Sequence, residues 1–112
     1  MRILSVPNYP SMVLSVRFGT KKSLLFFGNK TSVRSATFRE NLKKHQEINM
    51  DVLEIDCDDN PEISDLFGVK YIPTAILLDN GFPVSRMDGS CKSHEFVDFL
   101  HDVVSLGKDP LV

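Results

Sequence analysis

The sequence has little cysteine: Cys57 and Cys91 are the only two among 112 residues. Two cysteines do not make a disulfide framework, so the chain does not belong among the small secreted domains that several disulfides hold together. We therefore expect both thiols to be reduced and the protein to be cytoplasmic.

Long apolar runs and an excess of one charge are also missing. No run approaches the length that crosses a bilayer, and Pro7 breaks the first apolar segment, so we expect neither a membrane partner nor a signal peptide. Thirteen basic and fifteen acidic residues give a net charge of −2, which argues against a nucleic-acid partner held by a broad basic surface. With 42% apolar and 25% charged residues, positions 1–112 read as a single domain that buries its own core.

The most informative stretch covers residues 67–81. Gly68 is placed to end a helix, residues 74–78 have the apolar character of a strand covered on both faces, and Asn80-Gly81 is typical of a type I′ hairpin turn. Proline cannot donate a hydrogen bond to a sheet, so Pro73 directly before a buried strand needs a special reason. A cis Ile72–Pro73 bond is one such reason.

Strand and helix patterns alternate along the rest of the chain. Apolar runs predict strands at residues 2–6, 23–27 and 51–57, and an edge strand at residues 84–87 across the hairpin. Residues 11–18 favour a short, irregular helix, although their alternating apolar positions also suit a strand. This order predicts an α/β fold, with a mainly parallel sheet finished by an antiparallel hairpin and a helix.

Three further helices are expected. One begins near Thr31 or Ser32, either of which can cap it, and one is opened by Asn60-Pro61-Glu62. Ser93 caps the last helix, which has a wide apolar stripe. In the helix after Asn60 we expect three side chains to face inward, namely Ile63, Leu66 and Phe67.

Five segments, in this order and at compatible spacing, resemble the thioredoxin family. The resemblance covers residues 23–106 and implies a thioredoxin fold: a central mixed sheet of four to five strands, helices on both faces and a cis-proline at Pro73. Residues 1–22 match poorly, and residues 107–112 are a tail. The five segments are Asp58-Asp59-Asn60-Pro61, Phe67-Gly68-Val69-Lys70, Ile72-Pro73-Thr74, Asp79-Asn80-Gly81 and residues 89–100.

The resemblance breaks at the active site. Thioredoxins place Cys-x-x-Cys at the start of the helix after the central strand, where the helix N-terminus lowers a thiol pKa. The family's buried aspartate and neighbouring lysine correspond here to Leu25 and Glu54. Neither outer position of the motif has a thiol, so dithiol exchange at this site is chemically excluded. The four residues at the motif are Thr31, Ser32, Val33 and Arg34.

Arg34 and Glu54 occupy positions that approach one another in the family. A glutamate within a central strand needs a partner, because an unpaired buried charge is costly. We therefore predict an Arg34–Glu54 ion pair. The alternative is that Arg34 points to solvent and Glu54 lies at a partly open strand end.

The resemblance also implies a docking surface. In thioredoxins the backbone before the cis-proline pairs with an extended substrate segment, and strand addition is a general mode of peptide recognition. We predict that another protein binds a groove beside residues 31–34, although the cis-proline could equally be kept for fold geometry alone. Tyr71 would either anchor the partner or block the groove. The other groove residues are Ile72, Pro73, Ser90 and Cys91.

These features predict a redox-inactive module for protein binding or assembly, with no cofactor and no metal site. The alternative is a divergent oxidoreductase that uses Cys57 or Cys91 as a single thiol. Three acidic neighbours of Cys57 should raise its pKa and keep it inert, namely Asp56, Asp58 and Asp59. A third possibility is a structural subunit of a larger complex.

Overall fold

The computed structural model describes residues 1–46, 48–89, 98–99 and 101–102. Within these residues, strands and helices alternate as the sequence predicts. The strands are β1 (Arg2–Ser5), β2 (Lys22–Gly28), β3 (Asp51–Asp56), β4 (Thr74–Asp79) and β5 (Phe82–Met87). The helices are α1 (Tyr9–Phe18), α2 (Val33–Lys43) and α3 (Pro61–Leu66), and residues 98–99 and 101–102 are also helical.

The sheet is mixed and has five strands in the order β1-β3-β2-β4-β5. The β1–β3 and β3–β2 pairs are parallel, whereas β4 runs antiparallel to both β2 and β5. This confirms the predicted α/β architecture, with β5 as the edge strand of the hairpin. In the register between β2 and β4, Phe27 lies opposite Thr74, so the last residues of β2 and the first residues of β4 lie side by side at the same end of the strands.

Both faces of the sheet are covered, because β2 has no polar side. Phe26 and its alternating neighbours pack under α2, in a cluster that also contains Phe99. Phe27 packs on the opposite face, in a cluster with Met12 of α1 and Ile63 of α3. Helices α1 and α3 therefore form one layer, and α2 belongs to the other.

The turns follow the local sequence. Gly68 has φ 63° after α3, and Asn80 and Gly81 have φ 51° and 85°, as a type I′ turn requires. The Ile72–Pro73 peptide bond is cis. Asn8 caps α1 by accepting a hydrogen bond from the Ser11 N–H, so α1 is a regular helix of ten residues and not an irregular one.

One predicted core position is wrong. Leu66 was expected to face inward, but 61% of it is exposed, while Ile63 is buried and Phe67 packs against the core. Helix α3 has only six residues and ends at Leu66, so its outer face includes this leucine. None of the helices in the described ranges is long and apolar enough to cross a membrane. The expected cap at Ser93 lies outside the described residues.

Candidate functional site

The site is built on the connection between β2 and α2. The Asn29 side chain accepts hydrogen bonds from the backbone N–H groups of Thr31 (3.2 Å) and Ser32 (2.8 Å). Ser32 then caps α2, because its Oγ accepts from the Ser35 N–H at 3.1 Å. These bonds fix residues 31–34 at the start of α2, where the sequence predicts that a helix begins.

Three of these four side chains face solvent. Thr31 and Arg34 are exposed, and Val33 is 79% exposed, whereas Ser32 is partly covered by its capping role. The helix N-terminus thus presents a hydroxyl, an isopropyl group and a guanidinium. None of these three groups is a thiol, and all three are open to contact with another molecule.

The predicted Arg34–Glu54 ion pair is wrong. Glu54 Oε1 accepts hydrogen bonds from Arg39, from Nε at 2.9 Å and also from Nη2. Arg34 is exposed in the first turn of α2, and a residue five positions later points about 140° away around the helix axis. Arg39 therefore lies toward the sheet, and Arg34 does not.

Arg39 is held from two sides. Its guanidinium lies 5.7 Å from the centre of the Phe26 ring, in cation–π contact, while it binds Glu54. The hydrogen bond to Glu54 raises the pKa of Arg39 above its usual range, although partial burial opposes the shift. Sequence reasoning missed this residue, although a signal was present: Arg39 directly follows Phe38, an inward position of α2.

An open cavity of about 610 Å³ lies at the ends of the parallel strands. Arg39 and Glu54 line it together with Lys30, Asp56 and Asn60. Ligands bind α/β sheets outside the carboxyl ends of their strands, so this cavity stands where a functional site is expected. Its charges are mixed, and two of them are already paired with each other.

The cis-proline segment lies beside this region, because Thr74 at the start of β4 adjoins Phe27 at the end of β2. Tyr71 is 60% exposed and Pro73 is buried. The hydroxyl of Thr74 donates a hydrogen bond to the Tyr71 carbonyl. The structure thus brings residues 31–34 and 71–73 to the same end of the strands β2 and β4. Ser90 and Cys91 of the predicted groove lie outside the described residues.

Cys57 is a free, half-buried thiol whose backbone N–H donates to the Gly28 carbonyl at 2.9 Å. Burial raises the pKa of Cys57, and Asp56 and Asp58 raise it further, while a hydrogen bond with Ser64 opposes the shift. The predicted direction is confirmed, but the largest cause is burial, which the acidic sequence did not reveal. In the part of the chain that the structure describes, no group of three or more His, Cys, Asp or Glu side chains could hold a metal ion.

Comparison with solved structures shows the fold. A mutant thioredoxin from Halobacterium salinarum superposes with a TM-score of 0.77 at 19% identity, covering 99% of this chain and 95% of that one. Mitochondrial thioredoxin 3 from Saccharomyces cerevisiae, in its oxidised form, gives 0.76 at 16% identity and covers 90% of this chain and 92% of that one. At these identities the likeness is one of architecture.

Curated relatives match part of the chain. A bifunctional thioredoxin reductase/thioredoxin of Mycobacterium leprae is 37% identical over 65 residues, which are 58% of this chain and 14% of the relative. A thioredoxin of Rickettsia bellii is 29% identical over 63 residues, 56% of this chain and 60% of the relative. The chain thus spans less than two thirds of the length of either relative. The family model for thioredoxin matches residues 33–102, more than half of the chain, and the chain belongs to the thioredoxin family.

Proposed function

We propose that this thioredoxin-family domain is a binding or assembly module that takes another protein on the face formed by residues 31–34 and 71–73, without dithiol exchange. One observation supports it above all others. The two outer positions of the family's motif are Thr31 and Arg34, and both are exposed at the N-terminus of α2. The proposed binding face is therefore present, while the two cysteine sulfur atoms that react in the family are absent.

The chemistry of this face suits an extended peptide. Val33 and Tyr71 are large, exposed side chains, one in each of the two segments that form this face. Exposed aromatic residues are frequent anchors of interfaces. The backbone of residues 71–72 precedes the cis bond and is available for strand addition. We therefore infer a partner segment that pairs its backbone with residues 71–72 and packs an apolar side chain between Val33 and Tyr71.

A second candidate is a divergent thiol oxidoreductase that uses Cys57 or Cys91 alone. The two relatives, a thioredoxin and a bifunctional thioredoxin reductase/thioredoxin, favour it. The raised pKa of Cys57 argues against it, because the thiolate is the reactive species in exchange and burial lowers its population. We therefore propose binding without chemistry as the first candidate and single-thiol exchange as the second.

Reduction of insulin by dithiothreitol separates the two candidates. The wild type and the Cys57→Ser/Cys91→Ser variant are compared with the reagent alone. The binding module gives no rate above the reagent blank in either protein. A rate that the wild type shows and the double variant loses would assign the function to the single thiols.

The binding face is tested with peptides selected on the wild type from a displayed library of extended sequences. We expect the Val33→Ser/Tyr71→Ser variant to bind them at least tenfold more weakly. The matched control is Phe82→Ser/Val84→Ser, which removes the same kind of exposed apolar surface from β5. Equal binding by wild type and the first variant, or loss only in the control, would refute the proposed face.

A further inference from the structure

Helix α1 carries apolar side chains on its outward side as well as toward the core. Met12 is buried and Val16 packs against the core, yet the outward side of the helix is also apolar. Leu14 is 57% and Phe18 is 76% exposed, and both lie on one stripe because they are four residues apart. Tyr9 and Val13 continue this surface. Large apolar side chains that are exposed together mark interaction sites, so the outer side of α1 has the character of an interface.

The charged side chains on α1 and in the turn after it are all positive. The first 39 residues contain no aspartate or glutamate, although fifteen acidic residues follow. The guanidinium of Arg17 lies 5.6 Å from the centre of the Phe18 ring, and Lys21 is exposed just beyond the helix. The surface of α1 is therefore apolar with a positive end, and it calls for an apolar partner with negative charge.

Such a surface exists on the same side of this chain. Helix α3 packs with α1 on one face of the sheet, through Ile63 and Met12. Its outward residues are the carboxylates of Glu62 and Asp65 and the exposed side chain of Leu66. The outer surface of α3 thus offers one large apolar side chain among negative charges, which complements α1.

A groove of about 670 Å³ runs along one side of α1. Its walls come from α1, through Val13 and Arg17, from Lys21, and from Phe67, which directly follows α3. The apolar and positive side chains of the first surface thus reach the end of the helix that forms the second. A two-fold axis near this groove would bring each helix onto the other helix of a second copy.

We propose that the layer of α1 and α3 is the interface of a homodimer, in which α1 of each copy packs on α3 of the other. The partner's Leu66 packs on the stripe of Leu14 and Phe18, while Arg17 and Lys21 approach the partner's carboxylates. A two-fold interface forms every such contact twice, so a modest surface is sufficient. The peptide-binding face at residues 31–34 takes no part in it.

The same layer disfavours other occupants. An anionic membrane would attract Arg17 and Lys21, but it would repel the carboxylates of Glu62 and Asp65 on the same face of the sheet. A second copy of the chain supplies an apolar side chain for the stripe and opposite charges for both the basic and the acidic residues.

Charge-reversal variants test the proposal. The mass of the full chain in solution is measured by sedimentation equilibrium over a range of concentrations. The first variant is Arg17→Glu/Lys21→Glu and the second is Glu62→Lys/Asp65→Lys. We expect the wild type to reach twice the monomer mass, and each variant alone to dissociate at least tenfold more readily. An equimolar mixture of the two variants restores the dimer, because every α1–α3 contact then pairs opposite charges.

The control variant is Lys43→Glu/Lys44→Glu, which makes the same charge change on α2, on the other face of the sheet. It should dimerise like the wild type, and thermal unfolding establishes that every variant is folded. A monomeric wild type at all concentrations, or two variants that fail to associate when mixed, would overturn the proposal. Binding of the monomer to vesicles with anionic lipid would replace it with a membrane partner.

Discussion

Glu54 of β3 is bound by Arg39 of α2, and this contact joins the sheet to the helix that carries the proposed binding face. The side chains are 31% exposed for Arg39 and 22% for Glu54, so the pair is partly shielded from water. In the resemblance to thioredoxins, Glu54 stands at a lysine and Leu25 at an aspartate of the proton-transfer machinery. That correspondence stays a prediction, whereas the ion pair between Arg39 and Glu54 is a feature of the structure.

The Arg39→Ala substitution should destabilise the protein by about 1–2 kcal/mol, because it leaves Glu54 partly buried without its donor. Arg34→Ala should change the free energy of unfolding by less than about 0.5 kcal/mol, since Arg34 is exposed in the first turn. Urea unfolding of both variants gives the comparison. A larger loss for Arg34→Ala would show that α2 is rotated from the position described.

The Arg39–Glu54 pair can be separated from simple packing by a double-mutant cycle. Arg39→Met keeps most of the volume of the side chain, and Glu54→Gln keeps the shape of the carboxyl group. If the pair is direct, the double variant should lose less stability than the sum of the two single losses. Additive losses would mean that the two side chains act independently.

The position of the Arg39–Glu54 pair shows where sequence reasoning ends. Backbone features were predictable because they depend on local chemistry: Asn80-Gly81 takes the positive φ angles of its turn, and Ser32 caps α2. The partner of Glu54 depends on the rotation of α2 over the sheet, which the thin apolar stripe of that helix specifies weakly. The exposure of Leu66 depends likewise on a short helix whose end lies at the surface.

Cys57 should react slowly with iodoacetamide. Burial raises its pKa, so its thiolate fraction near neutral pH is smaller than that of an unperturbed cysteine, and its alkylation rate should rise over a more alkaline range. The measurement is alkylation against pH by mass spectrometry, in the Cys91→Ser variant. Ser64→Ala should slow the reaction further at a given pH, because the hydrogen bond from Ser64 lowers the thiol pKa. Faster alkylation than a model thiol would contradict the assignment.

Phe38 should be a principal anchor of α2 on the sheet. It is 2% exposed, and its ring centre lies 4.8 Å from that of Phe26. Phe38→Ala should cost about 3–5 kcal/mol, because it removes a buried aromatic side chain and leaves a cavity. Phe82→Ala is the control, since that side chain is mostly exposed, and it should cost less than about 1 kcal/mol. Similar unfolding midpoints in denaturant for the two variants would show that α2 is held elsewhere.

Gly89 should be required for the geometry of the cis-proline segment. A Cβ atom at Gly89 would lie 2.6 Å from the Ile72 carbonyl oxygen and 2.8 Å from that of Pro73, too close for either backbone to stay in place. We expect Gly89→Ala to cost at least about 2 kcal/mol and to weaken peptide binding at residues 71–73. Gly68→Ala is the control: its Cβ meets nothing within 4 Å, but its φ of 63° makes alanine cost about 1 kcal/mol.

The two glycine variants separate the effect of backbone strain, at Gly68, from the effect of a steric clash, at Gly89. Gly68→Ala changes stability alone, because Gly68 lies at the end of α3 and its new side chain enters open space. Gly89→Ala displaces the backbone with which the proposed partner would pair. The variant should therefore bind the peptide more weakly than partial unfolding alone would explain. Peptide titrations at a temperature where both variants are fully folded make this comparison. If Gly89→Ala then binds like the wild type, the backbone of residues 71–72 is not part of the binding face.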